Sequence, residues 1–209
     1  MAAGFDGVEI SAAYGYLVHQ FLSGNANQRT DGYADHVRFA VEVVEVVEAV
    51  AAAIGADRTA LRVSPGNSLN DIAESAVPPR YHRLLAALDG LGLAYPHVVQ
   101  TGAYAALEDL RPRWRGTLLA TYDGPGPSPG GVERAERALR AGLADVYAFG
   151  RLYLANPDLP LRVAACAPLN RMRGTGMYGG GAEGCTDYPF LEARSEGDFD
   201  GRCEMPATV

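Results

Sequence analysis

Residues 39–64 read FAVEVVEVVEAVAAAIGADRTALRVS, and the period changes once along them. From Phe39 to Ala53 apolar residues recur at helical spacing, with Glu42, Glu45 and Glu48 three residues apart on one face and the valines and Phe39 as the buried stripe. Gly55 is a natural C-terminal stop. Ala60–Ser64 (ALRVS) then has the length and β-branched content of a strand. The same alternation continues in both directions. Gly7–Ile10 reads as an earlier strand, and Pro79–Leu91, with Leu84, Leu85 and Leu88, as a second helix. His97–Gln100 is a third strand with a helical turn around Ala105–Leu110, and Thr117–Ala120 a fourth. Gly131–Ala141 is an amphipathic helix and Val146–Phe149 a fifth strand. Strand-then-helix repetition implies an α/β fold of parallel strands joined by right-handed crossovers, an open sheet or part of a barrel. Five units are too few to close an eight-stranded barrel, which takes ~250 residues.

Two regions leave the rhythm. Tyr122–Gly131 (YDGPGPSPGG) is dense in glycine and proline and reads as an exposed loop. From Glu192 onward the chain is charged and without period, so residues 1–191 are expected to form the folded part and 192–209 an irregular tail.

Composition narrows the function. The 209 residues are 48% apolar and 21% charged, which is globular composition. Eighteen cations against 25 anions leave a net charge of −7, which argues against nucleic-acid binding. All the cations are arginine, so a lysine Schiff base or lysine general base is excluded. Cys166, Cys185 and Cys203 are odd in number and lack metal-ligand spacing, so neither a disulfide framework nor a metal site is expected. No membrane span is expected, because the long apolar stretch carries Glu42, Glu45 and Glu48. MAAGFDGVEIS has no basic n-region of a signal peptide. A cytoplasmic location is expected.

Three blocks of letters are more specific than any period. AAGFDGVEI (2–10) precedes Gly15-Tyr16-Leu17, Gln20-Phe21-Leu22 and Asn27-Gln28-Arg29-Thr30-Asp31. Ala148-Phe149-Gly150-Arg151 precedes Ala155-Asn156-Pro157-Asp158-Leu159 and Pro168-Leu169-Asn170; Tyr178-Gly179-Gly180 and GCTDYP (184–189) close the series. In this order the blocks closely resemble the old yellow enzyme family of flavin oxidoreductases. The resemblance implies a (β/α)8 barrel with FMN at its C-terminal mouth, reducing activated alkenes with a hydride supplied through NAD(P)H. It begins at what corresponds to the fourth strand, so the fold implied here is a partial TIM barrel, strands four to eight. An unclosed barrel leaves two sheet edges, a condition expected to be met by a homo-oligomer or by a complementing chain carrying the N-terminal part of the barrel.

By that resemblance Gly150 and Arg151 contact the FMN phosphate, glycine admitting the backbone and arginine supplying a charge-assisted fork. The companion phosphate loop, usually glycine-rich, aligns with Ala120-Thr121-Tyr122-Asp123, which places Thr121 among the cofactor residues. His36 stands where the family has an arginine against the flavin ring. The family pair that binds the substrate oxygen is replaced by Ser11 and Tyr14, each still able to donate one O–H. Tyr16 matches the tyrosine that protonates the substrate carbon, with a packing role as the other reading. Arg62, expected in the barrel mouth, and Cys185 are both expected at the substrate. Asn67–Asp71 follow as loop residues, His97 belongs to core or strand end, and His19 and His82 are expected at the surface.

Three functions remain in competition. The chain is part of an FMN-dependent oxidoreductase, or a flavin-free relative working as a non-redox isomerase or cyclase with Tyr14, Tyr16 and Ser11 as proton donors, or a non-catalytic fragment. A small-molecule substrate is expected in the first two cases.

Overall fold

The computed structural model describes residues 3–34, 38–74, 77–101, 104–123, 130–177 and 181–191, with the side chains of 38–44 and 130 outside the description. The chain forms two compact units, Met1–Gly124 with Ala135–Ala148, and Pro125–Arg134 with Phe149–Val209.

The first unit carries five parallel strands in sequence order: β1 (Val8–Ala12), β2 (Thr59–Val63), β3 (Tyr95–Gln100), β4 (Leu119–Tyr122) and β5 (Val146–Tyr147). Register runs across the sheet with Ser11 opposite Arg62, Arg62 opposite His97, and His97 opposite Leu119. Helices α1 (Leu17–Leu22), α2 (Arg38–Ile54), α3 (Val77–Leu88), α4 (Ala106–Leu110) and α5 (Gly130–Arg140) fill the crossovers. Each expected strand and helix is present within a few residues. This is the partial barrel pattern read from the sequence.

One sheet face is dry. Ala12, Leu61, Val63, Val98, Leu118 and Ala120 pack in one cluster with Val47 of α2, Leu84, Leu85 and Leu88 of α3, and Leu107 and Leu110 of α4. Each fully buried leucine contributes about 1.5–3 kcal/mol. Strand residues alternate between faces, so Glu9, Ser11, Arg62 and His97 lie on the opposite one. That face is polar. β2 and β3 are buried almost throughout, as expected for central parallel strands. Val8 in β1 and Val146 in β5 are 41% and 45% exposed, and each of these strands pairs with one neighbour among the described residues.

Helix α2 departs from its expected packing. Of its described side chains Val47 is fully buried, but Val46 is 52% exposed, and Val46, Ala49, Val50, Ala53 and Ile54 line an apolar groove beside Glu45. The valines therefore serve two faces.

The second unit holds α6 (Arg151–Ala155), α7 (Leu159–Ala164) and the segment that follows. The Asn156-Pro157-Asp158-Leu159 and Pro168-Leu169-Asn170 blocks are its internal lock. Asp158 pairs with Arg162 at 2.7 Å, both buried, and Arg162 also donates to the carbonyls of Pro168 and Pro189 at 2.7 and 2.8 Å. Asn170 N donates to Asn156 Oδ1 at 2.7 Å, and Leu191 N to Asp158 Oδ2 at 2.6 Å.

Several expectations need correcting. His19 is fully buried, because a partner network described below draws it inward; His82 is half-buried, bonded through Nε2 to Asp109 Oδ2 at 2.5 Å. Tyr122 belongs to β4, and Gly130 and Gly131 to α5, while 124–129 lie outside the described residues. Cys166 is disulfide-bonded and Cys185 is free, where the cysteine count had suggested no bridge. The tail from 192 and the Tyr178-Gly179-Gly180 block lie outside the described residues. Among the described residues there is no helix long and apolar enough to cross a membrane and no acidic, histidine or cysteine grouping fit for a metal ion.

Candidate functional site

The C-terminal ends of β1 and β2 bring Ser11, Tyr14 and Arg62 to one rim. Ser11 and Arg62 are register partners, so their side chains stand on the same face of neighbouring strands. Arg62 is held rather than free. Its guanidinium is ion-paired with Glu9, and its Nε lies 3.1 Å from His97 Nδ1. Glu9 Oε2 also lies 2.8 Å from His97 Nδ1. Burial alone would raise the Glu9 carboxyl. The hydrogen bond and charge of His97, together with Arg62, outweigh burial and hold it below the ordinary glutamate value of 4.5. His97 is buried, and its Nε2 has no hydrogen-bond partner among the described residues. The Arg62 side chain remains 36% exposed, so a pre-oriented set of N–H donors faces open space.

After β1 the chain turns through two left-handed residues, Tyr14 at φ +58° and Gly15 at φ +75°. Such a turn is costly for a tyrosine and persists only where its surroundings over-determine it. All four backbone polar groups of the pair are tied to side chains. Tyr14 N donates to Ser64 Oγ at 2.8 Å, and Tyr14 O accepts from Asn70 Nδ2 at 2.7 Å. Gly15 N donates to His19 Nδ1 at 2.9 Å, and Gly15 O accepts from Gln20 Nε2 at 2.7 Å. Helix α1 starts directly after, with Tyr16 as its N-cap residue and 60% exposed. The turn therefore presents two phenols a short distance along the chain from Ser11.

Thr121 is half-buried in β4, and its hydroxyl donates to Ala148 O of the same unit. Gly150, Arg151 and Cys185 belong to the second unit. Gly150 and Arg151 are exposed where α6 begins, and a Cβ on Gly150 would meet nothing within 4 Å. Cys185 is half-buried and donates through Sγ to Gly176 O at 3.3 Å. His36 lies outside the described residues. Glu9 and His97, which orient Arg62, were not singled out as site residues; period-two alternation from Ser11 and Arg62 is the signal that would have found them. His19 was expected at the surface and Glu74 was not singled out, because neither LVHQFL nor the loop before α3 carries a local mark of the contact between them.

A phenol pair, a serine hydroxyl and a fixed guanidinium on one rim can bind and stabilise an anionic or polarised oxygen. The sequence model of the NADH:flavin oxidoreductase / NADH oxidase family matches residues 1–170. This chain belongs to that family. It is 41% identical over 204 residues to 12-oxophytodienoate reductase 1 of Oryza sativa subsp. japonica, covering 93% of this chain and 53% of that protein. Among solved structures it is similar to morphinone reductase in complex with tetrahydroNAD, at 37% identity and a TM-score of 0.79 over 91% of this chain and 52% of that one. The old yellow enzyme of Trypanosoma cruzi matches at 31% identity and a TM-score of 0.80, over 90% of this chain and 50% of that one. The chain thus spans about half the length of the relatives it matches. Their fold is the closed barrel of which this sheet is a part.

Proposed function

We propose that this chain forms the C-terminal five βα units of an FMN-dependent alkene reductase that draws its hydride through NAD(P)H. The observation that carries the reading is the Glu9–Arg62–His97 cluster beneath Ser11 and Tyr14, on a chain of this family. The residues present fit the cofactor. Arg62 is pre-ordered and partly exposed, His97 Nε2 is a buried polar atom awaiting a partner, and Gly150 leaves open space for a backbone approach. In the first unit Arg62 would reach the bound molecules, with Thr121 and His36 as cofactor candidates by family resemblance; in the second unit Gly150 and Arg151 are the candidates for the phosphate. Bound FMN supplies hydride transfer to the alkene carbon.

Everything else falls to this chain's own groups. Ser11 and Tyr14 donate O–H bonds to the substrate carbonyl or nitro oxygen, where negative charge develops as hydride arrives. Tyr16 gives its phenolic proton to the adjacent carbon and regains one from solvent, to which it is open. Cys185, in the second unit, is a substrate-side candidate by family resemblance alone, as a small apolar residue.

Barrel closure requires three more strands, and we propose a polypeptide supplying them as the partner, with residues 1–191 as the complementary part and 192–209 outside the barrel. Two copies of this chain would bring more strands than an eight-stranded closure takes. NAD(P)H is an intracellular reductant, which supports a cytoplasmic location, against the Cys166 bridge, a feature of oxidising compartments.

The test is steady-state reduction of a simple enone by the chain combined with the half of morphinone reductase that it does not cover. Slow turnover is expected, and Ser11→His with Tyr14→Asn should raise it by about two decades, the size of one restored oxyanion donor. A double variant slower than the parent would mean that Ser11 and Tyr14 form a site of another specificity. Absence of turnover in both, with flavin seated, would leave the non-redox reading.

A further inference from the structure

Beneath the Tyr14–Gly15 turn lies a fully buried set of ionisable groups that the reaction does not touch. The side chains of His19 and Glu74 are both 0% exposed, and Tyr81 of α3 is 1% exposed. Glu74 Oε2 accepts from Gly66 N at 2.7 Å and lies 3.3 Å from His19 Nε2; Glu74 Oε1 accepts from Tyr81 O–H at 2.9 Å. Burial and the neighbouring Glu74 charge push the Tyr81 phenol well above its ordinary value, so it stays a donor. On the far side of the imidazole, Nδ1 receives Gly15 N–H at 2.9 Å and lies 3.4 Å from Ser64 Oγ, the atom that receives Tyr14 N–H.

An imidazole nitrogen that accepts a backbone N–H cannot itself carry a proton. A neutral His19 must therefore hold its proton on Nε2, the nitrogen next to Glu74. That nitrogen makes no hydrogen bond among the described residues, and it lies 3.3 Å from the Glu74 carboxylate. Glu74 already accepts from Gly66 N and Tyr81 O–H, and its carboxylate 3.3 Å away favours a proton on the facing Nε2 over the far nitrogen. In the other tautomer the Nδ1 proton would meet the Gly15 proton, and the Gly15 amide would be stranded in the interior.

We infer that the buried Glu74–His19 pair is the positioning device of the active-site turn: Glu74 fixes the His19 tautomer, and His19 Nδ1, with Ser64, fixes the backbone from which Tyr14 and Tyr16 project. The inference rests on the reading of those tyrosines as proton donors, and His19 and Glu74 act on the reaction only through the turn. It also gives the β2–α3 connection a role. Ser64, Gly66, Asn70 and Glu74 all reach the turn or its support from that segment.

The experiment is nitrogen-15 NMR of the flavin-free full chain, so it stands apart from the alkene-reductase reading. In the parent chain the His19 ring should show a protonated Nε2 and an unprotonated, hydrogen-bonded Nδ1. In Glu74→Ala the tautomer should redistribute, and amide exchange at Gly15 should rise about fivefold to tenfold, the loss expected from one hydrogen bond. Leu84→Ala, a core truncation in α3, should lower stability while leaving the His19 ring and the relative protection of Gly15 unchanged. A protonated Nδ1 in the parent chain overturns the inference even if Glu74→Ala does not fold. So does a folded Glu74→Ala that keeps both the tautomer and the Gly15 protection, or a Leu84→Ala that moves them equally.

Discussion

Gly15 shows how little room the rim leaves. A Cβ built there would stand 2.5 Å from Leu69 O and 2.7 Å from Asn70 Cβ, at a φ of +75° that an L side chain rarely adopts. Gly15→Ala should cost at least about 1–3 kcal/mol, the range of backbone strain at such positions, as read by denaturant unfolding. A loss under half a kilocalorie would mean that the turn re-forms freely. Glu9 makes a second prediction. Its folded carboxyl titrates below its ordinary value, so the stability it adds is fully present above about pH 4.5 and is lost as pH falls through the folded value. Glu9→Gln should therefore flatten the acid limb of a stability-against-pH curve; parallel curves for the two proteins would contradict the pairing with His97 and Arg62. At this scale the sequence is only half legible. Ser11, Tyr14 and Arg62 stand out by motif, whereas Glu9, His19 and Glu74 gain their meaning from partners 45 to 88 residues away, which no local window contains.

Strands and helices were the most legible level. Parallel central strands are buried on both faces, so ALRVS and HVVQ read as short apolar runs bounded by turns, and the folded bounds differ from them by a residue or two. The short helices α6 and α7 were not read in advance, because each is held by long-range bonds such as Arg162 to Pro189 O rather than by an amphipathic period. Helix α2 is the informative exception. Its valines are too many for one buried stripe, and the surplus forms the groove from Val46 to Ile54. In a closed (β/α)8 ring each helix has two helical neighbours, and the exposed side of α2 is proposed to take one of them. Val46→Lys should reduce self-association of the isolated chain, measured by light scattering across concentration, while leaving its unfolding free energy within about 0.5 kcal/mol. Undiminished association would assign the contact to the open strand edges instead.

At the scale of the molecule, the described residues form five parallel strands in a family whose solved members are about twice as long. Composition argued against nucleic acid and excluded lysine chemistry, but it said nothing of flavin; that came from letters in order. Arg62 lies on the open polar face, and Arg151 is exposed at the start of α6. Arg151 is proposed to contact the FMN phosphate, at a site completed by strands from another chain. The direct measurement is an FMN titration, followed by flavin absorbance and fluorescence, of the chain alone, of the chain with the uncovered half of morphinone reductase, and of the same mixture carrying Arg151→Ala. The account predicts weak binding alone, tight stoichiometric binding in the mixture, and loss of at least tenfold in affinity on removing Arg151, the size of one charge-assisted hydrogen bond at about 1.5–3 kcal/mol. Submicromolar affinity in the isolated chain, or no flavin bound by the completed pair, would contradict it.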